Sequence, residues 1–129
     1  MLTGPASGPV ASCLRNGDFK GAERTLCQWR DVFGDRLAVE VQLHHTSGNE
    51  AALATALIEL AERQRVPWVI CHEPRYIDND SRLVHDVLTA LRYDTTIDDA
   101  LARGVLHPNG EWRLMSPEEM AARWKGGGR

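Results

Sequence analysis

Cys71, His72, Glu73 and Arg75 follow directly on the apolar run Val66, Trp68, Val69 and Ile70, so a thiol, an imidazole, a carboxylate and a guanidinium emerge together at one strand end. Sulfur, nitrogen and oxygen donors of this kind are what zinc or manganese accepts. His44 and His45 hold a comparable position, after Leu37, Val39 and Val41 alternate with Ala38, Glu40 and Gln42. In α/β sheets ligand-binding and catalytic groups gather at the carboxyl ends of strands. If the two strands are neighbours, the two groups converge. The spacing matches no compact zinc motif, and a structural reading stands beside the metal one. In that reading His44 and His45 are half-exposed loop residues, Cys71 is core, and Glu73 pairs with Arg75 or another nearby base. The residues alone leave both open.

Other reactive side chains have plainer explanations. His85 and Asp86 fall within a helical pattern and are expected on its solvated face, and His107 before Pro108 reads as turn chemistry. Cys13, Cys27 and Cys71 are odd in number and form no CxxC pair, which favours buried reduced thiols over disulfides or a zinc knuckle. No Walker loop, GxSxG elbow, HExxH helix or Rossmann glycine set is present. A formal charge of -3 argues against a domain built to grip phosphate backbones. Trp29, Trp68, Trp112 and Trp124 lie apart from basic clusters and are expected to anchor a core or an interface.

The elements that must position these groups alternate between helix and strand. At 129 residues the chain is the size of one domain or a piece of a larger one. No apolar run approaches the ~20 residues of a membrane span, and the first residues lack a secretory pattern, so a cytoplasmic protein is expected. After a tight loop in TGPASGPV, a short helix closes at Asn16 and Gly17, and Asp18 caps a second carrying Ala22, Leu26, Trp29 and Phe33 on one face. The strand at Leu37–Val41, a helix with the stripe Leu53, Ala56, Leu57, Leu60 and Ala61, and the strand at Val66–Cys71 make a βαβ unit with parallel strands. The second strand, apolar throughout, is expected to be covered on both faces. A polar turn then leads to a helix in which Leu83, Val84, Val87, Leu88 and Leu91 recur at helical spacing and are expected to pack back on that strand. A short helix begins at Thr96, an extended piece spans Trp112 to Leu114, and Ser116, Pro117, Glu118 and Glu119 open a last helix with a capping box. The tail from Lys125 to Arg129 has nothing to bury and is expected to be disordered.

The blocks LTGPASGPV, VEVQLHH, VPWVICHEPRYIDND, HDVLTALR and RLMSPEEMAARW, in this order, resemble the polymerase and histidinol phosphatase (PHP) domain of bacterial DNA polymerase III alpha subunits, most closely the error-prone type. The resemblance runs from Leu2 to Trp124. It implies part of a distorted, TIM-like β/α barrel with parallel strands, matched over the later half of the domain. The family's paired metal-binding histidines are then expected upstream of this sequence, and its catalytic palm downstream.

Within the matched part the resemblance implies a metal site stripped of ligands. Pro5 stands where the family has a ligand cysteine, and the family's Asp, any residue, His pattern falls on Glu73, Pro74 and Arg75. Proline carries no side-chain donor, and a guanidinium stays protonated and cannot coordinate a cation. No catalytic residue, cofactor or metal is therefore expected, with His44, His45 and His72 as the remaining weak candidate ligands. The implied role is structural, with the remainder of a polymerase alpha subunit or other replication proteins as partners and no strong nucleic-acid binding of its own. Incomplete barrel closure implies open sheet edges and self-association. The alternative is a metal-dependent phosphoesterase or nuclease using zinc or manganese.

Overall fold

The computed structural model describes residues 1–46 and 48–125, with only the backbone of Gly48 and Lys125, and divides into two compact units, Met1–Cys71 and the part that begins at His72. The first unit is built on β1 (Val39–Val41), whose backbone is bracketed on both sides. On one side Thr3 N–H donates to the Ala38 carbonyl at 3.2 Å and Ala38 N–H to that of Met1 at 2.9 Å. On the other side β2 (Trp68–Ile70) runs parallel, with Val39 opposite Trp68 and Val41 opposite Ile70. The crossover between them is α3 (Gly48–Gln64), which completes the expected βαβ unit.

Two helices precede the sheet. Helix α1 (Pro9–Arg15) begins on proline, whose missing N–H costs nothing in a first turn. Gly8, just before it, lies so close to the loop that a Cβ would meet the Thr3 carbonyl oxygen at 2.8 Å. The loop TGPASG therefore folds back on the first extended residues. Helix α2 (Phe19–Phe33) is capped by Asp18, whose carboxylate accepts from Gly21 N–H at 2.8 Å, and ends at Gly34 with φ +56. A 3₁₀ turn, Gly34–Arg36, leads to the strand. Val10, Leu14, Ala22, Leu26, Leu37, Val39, Val41, Leu57, Leu60, Ala61 and Val66 form the buried apolar interior, drawn from α1, α2, β1, α3 and the residues leading into the strands but not from β2.

That exception corrects the expectation that the second strand is covered on both faces. Trp68 is 36 % and Val69 39 % exposed, and Ile70 is half-buried. The physical reason is position: among the described residues the only strand beside β2 is β1, whereas the chain entering β1 is also bridged on its other side, at Ala38 by Leu2. The cysteines differ as well, all three being free and half-buried rather than buried.

The second unit holds α4 (Asn79–Arg92), α5 (Ile97–Ala102) and α6 (Pro117–Lys125). Asp78 caps α4 by accepting from Ser81 N–H and Oγ, and Thr96 Oγ1 accepts from Asp99 N–H at the start of α5. The expected capping box opens α6 reciprocally: Glu119 N–H donates to Ser116 Oγ at 3.2 Å, and Ser116 N–H donates to Glu119 Oε2 at 2.9 Å. The extended piece pairs Arg113 with Tyr76 in a parallel bridge. Lys125 closes α6, and residues 126–129 of the expected tail lie outside the described residues, as does Ser47.

Helix α4 differs from a second expectation in which of its faces its own unit covers: the apolar stripe is left uncovered there, with Leu83, Val84, Leu88 and Leu91 each more than half exposed. Its polar side, with Arg82, His85, Asp86 and Thr89, is half-buried, while Ala90 joins Ala100 and Leu106 in a small buried cluster. Periodicity sets which residues share a face but not which face is covered, and here the polar face is the inner one. No helix among the described residues is long and apolar enough to cross a membrane.

Candidate functional site

Two strand-end regions carry the candidate ligands, one in each unit. In the first, the chain leaving β1 turns at His44 and His45, where His45 takes φ +54. Glu50, in the first turn of α3, reaches back over this turn. Its Oε1 accepts from His44 N–H at 2.7 Å and its Oε2 from Thr46 N–H at 3.1 Å, while His44 Nδ1 lies 3.5 Å from Oε1. One carboxylate thus ties the strand end to the helix start. His44 is only 5 % exposed, which corrects the half-exposed loop position expected of it, whereas His45 is exposed. The clip to Glu50 is the reason.

Beneath this turn is a cavity of about 40 Å³ lined by Pro5, Glu40, Gln42, His44, Glu50 and apolar residues of α3. Its polar side chains are engaged with one another and with the backbone, Gln42 Nε2 donating to Glu40 Oε1 at 2.5 Å. Cys71, at the end of β2, donates its backbone N–H to the Val41 carbonyl at 2.9 Å. Burial, and secondarily the Glu40 carboxylate, push its thiol above the ordinary range. A thiol held protonated is a poor ligand and a poor nucleophile.

In the second unit, Arg75 forms an ion pair with Glu73, as the structural reading of the residues expects. Both side chains are more than two-fifths exposed, so the pair lies at the surface. His72 is half-buried, with Nε2 3.0 Å from the Arg113 carbonyl oxygen, which makes that nitrogen the donor. Burial pulls its pKa down, the hydrogen bond to Arg113 opposes this, and the Arg123 and Arg113 charges add to the lowering. The folded ring is thus harder to protonate than the free one, so below the ordinary value of 6.5 the unfolded chain binds more protons. Stability contributed here is full above that value and is lost as pH falls through it toward the lower folded value. His72→Gln is expected to flatten this part of the slope, read as the difference between variant and parent urea midpoints at about pH 7.5 and about pH 5.5. Equal slopes in the two proteins would show that the ring does not titrate as described.

The second unit also gathers a polar cluster that the sequence did not single out. The His107 ring stacks on Trp112 with centroids 4.0 Å apart, His85 stacks on His107 at 5.4 Å, and Tyr76 meets His85 at 5.6 Å. Arg82 donates to the His107 carbonyl at 2.9 Å and lies 3.5 Å from Asp86. His85 and Asp86 are therefore half-buried on the inner face of α4 rather than on the solvated face expected of them. The i, i+3, i+4, i+7 spacing of Arg82, His85, Asp86 and Thr89, which lays them on one helix face, is the signal available in the sequence. Backbone amides of Arg75 and Tyr76 donate to the Trp112 carbonyl at 2.7 and 3.3 Å, which anchors the turn carrying Glu73 and Arg75 to this cluster.

Among the described residues no three His, Cys, Asp or Glu side chains are grouped so as to hold a metal ion. The contacts these side chains make are ion pairs, hydrogen bonds and ring stacking. They define a helix-rich α/β segment in which Glu50 ties the end of β1 to the start of α3.

Its similarities are to error-prone DNA polymerases and to alpha subunits of DNA polymerase III. Over 107 residues, 82 % of the chain, it is 36 % identical to an error-prone DNA polymerase of Anaeromyxobacter dehalogenans, of which that stretch is 9 %. It is 30 % identical over 120 residues to a DNA polymerase III subunit alpha of Pseudomonas aeruginosa, covering 93 % of this chain and 10 % of that protein. The corresponding subunit of Aquifex aeolicus is 28 % identical over 109 residues. The chain thus spans about a tenth of the length of the curated relatives it matches, and is homologous to one region of them. No protein-family model matches it.

Proposed function

We propose that this chain is a structural segment of the error-prone DNA polymerase III alpha type, a degenerate PHP domain that supports the polymerase fold in DNA replication and translesion repair synthesis and has no catalysis of its own. The observation that carries the reading is the Glu73–Arg75 ion pair. The resemblance places metal ligands at those two positions and at Pro5. Here one position has no donor, one is a permanent cation, and the carboxylate of the third is neutralised by that cation. The donor set does not fit zinc or manganese, and no chemical step is assigned to a metal. The partners proposed are the remainder of a polymerase alpha subunit or other replication proteins. The half-exposed β2 supports a further expectation, self-association through its open edge.

Metal analysis after gel filtration, paired with assays in manganese on p-nitrophenyl phosphate and on single-stranded DNA, tests the proposal. Far less than one metal per chain and no turnover are expected. Stoichiometric zinc or manganese, or turnover abolished by Glu73→Ala, would establish the metal-dependent phosphoesterase or nuclease instead.

A further inference from the structure

We propose that the exposed apolar face of α4 is an interface between two copies of this chain, which lay α4 against α4 in antiparallel orientation. Leu83, Val84, Val87, Leu88 and Leu91 are 64, 61, 38, 61 and 69 % exposed. At about 100° per residue these five side chains occupy one arc of roughly 140°. Arg82, Asp86 and Thr89 occupy the opposite arc, so the helix meets its own unit with its polar side and offers its apolar side outward. A contiguous apolar patch of this kind marks an association site.

Charge on the same helix selects the occupant and its direction. Asp80 and Arg92, both exposed, stand at opposite ends of the face. A two-fold axis near the level of Asp86 places Asp80 of each copy beside Arg92 of the other and Val84 beside Leu88, an isologous contact in which each pair occurs twice. Parallel pairing would set like charges together. Antiparallel pairing also opposes the two helix dipoles. The 14 residues of α4 span about 21 Å, so the contact is at the small end of specific interfaces and the dimer is weak, with dissociation in the micromolar range or above, on the order of 10⁻⁶ to 10⁻⁴ M. This pairing uses a different surface from the edge of β2 and does not depend on the polymerase reading.

Sedimentation equilibrium of the full chain over a concentration series tests it. A monomer–dimer equilibrium is expected, weakened roughly tenfold or more by Leu88→Lys and by Val84→Lys. Both positions are exposed, so circular dichroism and the thermal transition of the dilute monomers should stay unchanged. Asp80→Arg and Arg92→Asp should each weaken the dimer, and the two together should restore it to within about threefold of the parent. The proposal is overturned by a parent chain that stays monomeric up to about 1 mM. It is equally overturned by a dimer indifferent to both lysine variants, or by a doubly reversed variant no tighter than the single ones.

Discussion

Leu60→Ala is expected to lower the free energy of unfolding by about 2–5 kcal/mol, the range for deleting a fully buried leucine side chain. Leu60 is 0 % exposed and sits on the face of α3 that carries Leu57 and Ala61, against the interior completed by β1 and α2. The cost has two parts, the lost transfer of the removed carbons and the cavity left because helix and strand cannot close over it. A typical domain has only about 5–15 kcal/mol in all, so this one change removes a large share. Urea unfolding followed by the fluorescence of Trp29 and Trp68, both in the first unit, reads it as a lower midpoint at unchanged slope. A loss under about 1 kcal/mol would mean that α3 is not packed as described.

Trp112→Ala is expected to cost about 3–5 kcal/mol, confined to the second unit. Trp112 is the largest of the few apolar side chains buried there, alongside Tyr76, Ala90, Ala100 and Leu106. Its removal unstacks His107, which loosens the ring contact to His85 and with it the polar face of α4. Hydrogen exchange should show lost protection from His72 through α6, with amides of β1 and α3 unchanged. Equal loss across the whole chain would show that the two units unfold together and would contradict this partition.

Much of the first unit was legible because its signals are local and agree with one another. Asp18, Asn16 with Gly17, Gly34 and the stripe of α3 each mark one boundary or face, and the parallel pair follows from strand, helix, strand order. The Glu73–Arg75 pair was legible for the same reason, two opposite charges two residues apart. The Glu50 clip was not legible, because a glutamate in a first helical turn looks like any other until the loop before it is placed. The stacking of His85, His107 and Trp112 was not legible either, since it joins residues far apart in sequence.

By itself the sequence determined the elements, their caps and the pairing of charges close in the chain. These are short-range consequences of side-chain chemistry and of the 3.6- and 2-residue periods. Only the tertiary structure decided which faces are covered. Val66–Ile70 and the stripe from Leu83 to Leu91 both have the pattern of buried elements, yet β2 is half exposed and α4 turns its leucines outward. Periodicity gathers apolar residues on one side of an element, but burial depends on whether another element occupies that side. That occupancy is a property of the assembled chain and not of any one segment.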